Sequence, residues 1–387
     1  MKNISPPANT LALMNLTFLM MWFTACGNIE PDSGDHNFDP YRIDVGHETN
    51  SVLIIDENFN GFLDILLTGA GNLTILSGNG SGEFKLDRRI PAGDNPVDLA
   101  AGDLDNDGLP DLVIANHETN YVTLLFGAKD GFSSERSRKL TIDVSPHPHA
   151  VVLSDINEDT YLDILVDNRD QQSLKFFPGR GDGTFRQSES ILVGGDPYRG
   201  MFVVDVNGDG HQDVVTPNPG SVAIQYGNGK GAFSPGPQLA DASLSPFNAT
   251  VADFNGDGIQ DIAAGSGEEP GRLVVWYGKN DGSFKQTQEA TFLIADGPTK
   301  LNTKDINGDG LNDILVSSYT GSEVAMVLGG RDELELVRIK LDGNPWDIAV
   351  QDLNGDERMD LVVANWGSNY ITVLLGEEGE RARSEDQ

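Results

Sequence analysis

The sequence predicts an all-β chain closed into a seven-bladed propeller, each blade a four-stranded sheet. Three observations lead there. A short acidic loop recurs seven times, beginning at Asp56, Asp103, Asp155, Asp205, Asp253, Asp305 and Asp352, at intervals of 47, 52, 50, 48, 52 and 47 residues. Each copy is embedded in short β-branched runs separated by Gly, Asn and Asp, the pattern of strands and hairpins. No segment beyond residue 30 sustains the 3.6-residue apolar period of a helix. Regular repeats of this length mark arrays, solenoids or propellers. A lone four-stranded unit cannot bury both faces; radial repetition buries them and leaves only short protected edges.

The elements follow in chain order. Lys2, the apolar run Leu11–Phe23 of 13 residues, and Thr24-Ala25-Cys26 read as a signal peptide over 1–25, too short for a comfortable membrane span. Cys26 is the only cysteine. Its place after Ala25 resembles the bacterial lipobox, which implies lipidation of Cys26. Gly27 follows where the enterobacterial retention rule has Asp, so the expectation is an exported, lipid-anchored protein of the outer membrane or cell surface. Residues 26–38 read as a polar tether. With no second cysteine, metal must supply the stapling that disulfides often give exported chains.

Residues 39–376 form the expected propeller. Each repeat supplies an apolar run such as PVDLAAGD before the loop and a run such as DLVIAN after it. A third run such as YVTLLFG follows, then a Gly-rich hairpin and a more polar fourth strand such as RKLTIDV. The last repeat stops after its third run, ITVLLG, before the polar tail 377–387, while Asp39–Gly46 precedes the first repeat as an orphan strand. That orphan is expected to complete the seventh blade, a clasp that abolishes the open edges of the array.

Within the loops, oxygen-bearing side chains fall at positions 1, 3, 5 and 9, with Gly108, Gly210, Gly258 and Gly310 at position 6. Calcium takes six to eight oxygens, and alternate residues of a tight turn point at one centre. The expected ligands are Asp56, Asn58, Asn60 and Asp64; Asp103, Asp105, Asp107 and Asp111; Asp155, Asn157, Asp159 and Asp163; Asp205, Asn207, Asp209 and Asp213; Asp253, Asn255, Asp257 and Asp261; Asp305, Asn307, Asp309 and Asp313; and Asp352, Asn354, Asp356 and Asp360. Up to seven Ca²⁺ ions are therefore expected. The loop at Asp56 is the poorest, since Asn58 and Asn60 replace carboxylates and fewer ligand charges bind more weakly. Thr160 and Glu357 take the position-6 place in the third and seventh loops. EF-hands are excluded: they need Glu at position 12 and flanking helices, and position 12 here is Leu67, Ile114, Val166, Thr216, Ala264, Val316 or Val363.

The D-x-[DN]-x-D-G-x-x-D loops, with their flanking strands and Gly/Phe hairpins such as GRGDGTF, resemble the FG-GAP/VCBS repeats of the integrin α-subunit propeller and its bacterial relatives. The resemblance covers about Tyr41 to Gly376. It implies that each loop joins a blade's first and second strands and holds calcium; it carries over no ligand specificity.

The formal net charge of −34 disfavours nucleic acid, which needs a basic footprint. Much of it is local: two loop carboxylates in the first copy, four in the second and three in each of the rest, 21 in all. No G-x-S-x-G, H-E-x-x-H or G-x-x-x-x-G-K-[ST] occurs, so no catalytic residues are assigned. His147 and His149 lie in SPHPHA, interleaved with Pro146 and Pro148, where a turn is the simpler purpose than metal binding. A recurrent Pro marks six inter-blade turns, NPVD, HPHA, DPYR, SPFN, GPTK and NPWD, and in four of them it is followed by His149, Tyr198, Phe247 or Trp346, with Arg199 beside Tyr198 and Trp366 in a neighbouring turn. These six form the expected ligand face, opposite the loops, for an envelope or extracellular protein or a glycan. Membrane contact is expected through the N-terminal lipid only. The alternative is a polysaccharide-acting, lyase-like enzyme using Arg199 or His149.

Overall fold

In the computed structural model the described residues are 38–377, apart from 143–147, 169–171, 198–199, 242–244 and 268. They form seven antiparallel four-stranded sheets. Blades 1 to 6 span Ser51–Pro91, Pro96–Thr141, Val151–Leu192, Phe202–Ala240, Pro246–Leu293 and Pro298–Lys340. Blade 7 takes three strands from Pro345–Gly376 and its fourth from Phe38–Asp44. Helix is confined to one 3₁₀ turn, Ser134–Arg136, among the described residues.

The clasp is as expected, beginning one residue earlier than the sequence suggested. Phe38 pairs with Gly376 and Asp44 with Tyr370, antiparallel and in continuous register. Tyr41 donates its hydroxyl hydrogen to the Gly82 carbonyl of blade 1, and Arg42 pairs with Asp342. Tyr41, Ile43 and Val45 join the cluster shared by blades 7 and 1. The strand therefore stitches two blades at once.

The second and third strands are almost wholly buried, as in Asp111–Asn116 and Tyr121–Leu125. Their side chains do not form one core. They form seven clusters, each shared by two adjacent blades: Leu76 and Val373 at the 7–1 junction, for example, or Phe177 and Val113 at 2–3. Each junction buries apolar area at roughly 25 cal/mol per Å². No blade has a core of its own, which is why the units must stack.

The innermost strands are linked polar group to polar group around the axis. Asn50 Nδ2 donates to the Pro96 carbonyl, Val151 N–H to Asp98, Asn302 Nδ2 to the Ile348 carbonyl and Val52 N–H to Asp347. These bonds run between neighbouring blades and surround a cavity of about 330 Å³ lined by Asp98, Lys300, Asn302 and Asp347.

Candidate metal loops and ligand face

Each loop joins the first and second strands of its blade, so all seven lie at one end of the toroid. Their backbones are held by their own side chains. The position-1 Asp accepts the position-5 N–H with one oxygen and the position-6 N–H with the other, as in Asp205 with Asp209 and Gly210 at 3.1 and 2.8 Å. The position-3 oxygen also accepts the position-5 N–H, and position 5 accepts from position 7. The first loop repeats this pattern with Asn58 and Asn60. Amides thus preserve the loop's shape there while removing two charges.

The turn requires two left-handed residues. Position 6 has positive φ in every loop, with Gly61 in the first copy as well as the glycines identified from sequence; Thr160 and Glu357 adopt it at φ 75° and 69°. Position 4 is the second. It is Gly208, Gly256, Gly308 and Gly355 in four loops and Phe59, Asn106 and Glu158 in the others, all at positive φ. The sequence carried this signal as the Gly of N-G-D-G, which only Gly adopts at little cost.

The position-9 carboxylate has a second duty. All seven, Asp64, Asp111, Asp163, Asp213, Asp261, Asp313 and Asp360, are fully buried. One oxygen accepts the position-2 N–H, the other the N–H of the Gly that ends the third strand. For Asp261 these are Phe254 and Gly278, at 3.0 and 2.9 Å. That Gly is obligatory for close approach: a Cβ on Gly227 would stand 2.0 Å from the Gln212 carbonyl oxygen. The terminal Gly of runs such as VAIQYG and LVVWYG was the available signal, and periodicity alone did not reveal it.

Burial raises the pKa of these carboxyls, with neighbouring loop charges adding to the shift and backbone N–H donors opposing it. Asp111 and Asp163 are pushed up to about 6 and Asp261 to about 7. Asp64, Asp213, Asp313 and Asp360 are raised by the same burial. Asp105 is raised too, by burial and then by Asp107. A divalent cation reverses this balance by supplying positive charge where carboxylates crowd. The donor chemistry fits a hard cation: carboxylate oxygens of Asp103, Asp105 and Asp111 lie within 4.8 Å of one another.

Position 2 separates the first loop from the rest. In the other six it is Leu104, Ile156, Val206, Phe254, Ile306 or Leu353, packed into the junction with the next blade. In the first it is Glu57, buried, held by Arg88 at 2.8 Å and by the Phe132 N–H of blade 2 at 3.0 Å.

At the opposite end, the expected ligand face is partly assembled. Phe247, Trp346 and Trp366 are brought together, with Tyr319 as a fourth ring that sequence reading missed. Trp346 and Trp366 stack at 5.8 Å; Tyr319 meets both edge-on at 5.3 and 5.9 Å, and Phe247 meets Trp346 at 6.4 Å. Trp366 is 43 % exposed. The pairing of Pro345 with Asn365 sets Trp346 beside Trp366, and the equivalent turn after blade 6's second strand delivers Tyr319. Aromatic residues of the 2–3 turns were therefore the overlooked signal. His149 is not an exposed ring: it is 5 % exposed, 4.5 Å from His117 and 3.3 Å from Asp167, at the rim of the axial channel. Tyr198, Arg199 and His147 lie outside the described residues.

A family model described as an FG-GAP-like repeat matches residues 56–114, 103–166, 167–216, 205–264 and 253–316, more than half of the chain. No curated protein sequence matches. Among solved structures, BBS1N in complex with ARL6DN superposes with a TM-score of 0.63 at 12% identity, covering 89% of this chain and 97% of that one. A lectin of Agrocybe aegerita, solved for its recognition of non-reducing terminal N-acetylglucosamine, gives 0.51 at 16% identity, covering 84% and 87%. At these identities the likeness is one of fold. The repeat match, the seven loops in register and the four-stranded blades agree: the chain belongs to the FG-GAP-like repeat family.

Proposed function

We propose that this chain is a calcium-stabilised, lipid-anchored propeller of the bacterial cell envelope that binds a protein or glycan without turning it over. The observation that carries the binding reading is the four-ring cluster of Phe247, Tyr319, Trp346 and Trp366, contributed by three consecutive blades and open to solvent at Trp366. Aromatic faces of this kind anchor protein partners and stack on apolar ligand faces. Propellers of this shape serve both ends: BBS1N is seen in complex with ARL6DN, and the Agrocybe aegerita lectin recognises a terminal sugar. The lyase alternative draws on Arg199 and on His149, whose ring is buried against His117 and Asp167; no observation favours it over binding.

Calcium is read from seven pre-organised loops whose buried carboxylates stand above their ordinary titration range. Anchoring is read from the sequence around Cys26. Two measurements test the whole. Excess chelator should lower the melting temperature by many degrees, because a ligand that binds only the folded ring stabilises it by mass action; an unchanged melting curve ends the calcium reading. A screen of envelope proteins and glycans against the calcium-loaded chain should find a saturable ligand that Trp346→Ala/Trp366→Ala abolishes. Product release from a polysaccharide would replace binding with catalysis.

A further inference from the structure

Five large apolar side chains are exposed among the described residues, and two of them share one loop: Phe59 at 51 % and Phe62 at 45 %. This is the first loop, the one that has Asn60 where every other loop has Asp at position 5. Phe59 occupies position 4 at φ 58°. A bulky aromatic in that region is an outlier, and such strain concentrates where a ligand or partner uses the residue. Phe62 lies across Gly80, where a Cβ would stand 2.5 Å from its ring.

Two further features say what meets these rings. The first is charge. Asp64 and Glu57 are buried and Glu57 is paired with Arg88, which leaves the half-buried Asp56, turned in to the Asn60 and Gly61 N–H groups, as the loop's only other carboxylate. Every other loop carries Asp at both positions 1 and 5. The second is the path of the chain. Phe38 pairs with Gly376, whose N–H binds Asp360 of the adjacent seventh loop. Tyr41 bonds to Gly82, in the hairpin that carries Gly80. The chain therefore enters the ring at Phe38, on the loop face beside the two phenylalanines.

The geometry points to a membrane-contacting wedge: Phe59 and Phe62 enter the lipid interface, the loop end of blade 1 tips onto the bilayer, and the Trp346–Trp366 face looks away from it. This rests on the lipid-anchor reading. Eleven residues separate Cys26 from Phe38, a reach of up to about 40 Å at full extension, so the tether by itself sets no orientation. Two rings give weak partitioning alone, but an attached lipid turns their insertion into an intramolecular step. The wedge then fixes which end of the toroid is offered to partners.

The test is photolabelling of the anchored full chain, with calcium, in phosphatidylethanolamine–phosphatidylglycerol vesicles whose acyl chains carry a diazirine. Labels should concentrate at residues 57–63 and 80–83. The variant Phe59→Asn/Phe62→His places there the residues that the second and fourth loops carry, Asn106 and His211, and so leaves the loop foldable. It should cut labelling at those positions by about tenfold or more, the loss expected for withdrawing a buried ring from lipid, with the melting temperature unchanged. A chain that anchors but is labelled evenly, or around Trp366, overturns the orientation and leaves the anchor standing. An unlabelled first loop in an anchored chain, as when the chain's own N-terminal segment covers the rings, also overturns it. A chain that never enters the vesicles overturns both readings.

Discussion

The two ends of the toroid obey opposite rules. At the loop end, positions 1 and 9 are Asp in all seven blades. At the other end, the residue five places before each loop is Ser51, Asp98, Ala150, Gly200, Asn248, Lys300 or Asp347, with only Asp used twice. The loop end repeats because every blade must satisfy the same two backbone N–H groups with one buried carboxylate. The far end varies because its side chains answer to different neighbours: Asp347 accepts from Val52 and Ile348, whereas Lys300 reaches across to Asp98 and Asp347 at 3.8 and 4.0 Å. Sameness marks the fold, and individuality marks the far end, where each side chain answers to its own neighbours.

If the repeats need closure more than any single loop, breaking the clasp has the largest effect. Removing Phe38–Asp44 strips blade 7 of its fourth strand and takes Tyr41 and Ile43 from the 7–1 junction. The expected loss is about 5 kcal/mol or more from apolar burial alone, read as an early, broadened urea transition. Trimming 378–387 should leave the midpoint in place. Equal shifts from the two truncations would refute the clasp.

One step smaller are the buried charges of the loop end. Asp261→Asn keeps one acceptor and turns an amide N–H₂ toward a backbone N–H, at a cost of about 2–4 kcal/mol. Glu57→Gln should cost a similar amount, because the buried acceptor of Arg88 and of the Phe132 N–H becomes neutral and only Asp87 is left to pair with Arg88. Glu57→Leu/Arg88→Leu restores the apolar plug of the sister loops, and replacing a buried ion pair in this way is often neutral or stabilising. A double variant as weak as the single one would show that the 1–2 junction is shaped around the pair.

Acidity sharpens the comparison further. A carboxyl raised in the folded state binds its proton more tightly there than in the unfolded chain, so it favours folding at low pH and loses that contribution as pH rises. With Asp261 near 7 and Asp111 and Asp163 near 6, against an ordinary 3.8, the metal-free ring should gain stability between about pH 7 and pH 5. Calcium-loaded ring should do the reverse, since protons compete for the same oxygens. Melting curves in chelator and in calcium should therefore converge as pH falls. Parallel curves would mean that these carboxylates do not meet the metal.

How much of this was legible follows the same division. The loops, the blade count and the orphan strand Asp39–Gly46 could be read because identical physics recurs at a fixed interval. Tyr319 was passed over although it holds the place after its second strand that Trp366 holds in blade 7; the closed ring is what brings it to Trp346. Glu57 was passed over because it sits in the slot that six sister loops give to an apolar plug, and a single departure in a repeat looks like noise until its partner Arg88 is seen. His149 was grouped with the ligand face because it follows the recurrent Pro, whereas its burial against His117 and Asp167 depends on how the ring closes.

The smallest expected effect on stability falls where the proposed function is concentrated. Trp366 lies in a turn, 43 % exposed, with its N–H and carbonyl bonded to Asn344 through backbone and side chain. Those bonds survive truncation, so Trp366→Ala should lower the unfolding free energy by no more than about 0.5 kcal/mol, as for ordinary surface substitutions. Gly227→Ala, by contrast, drives a methyl into the Gln212 carbonyl at the loop end and should cost about 1–3 kcal/mol. If Trp366→Ala proves as destabilising as Gly227→Ala, the aromatic cluster is a structural plug of the ring, and recognition has to be sought elsewhere on that face.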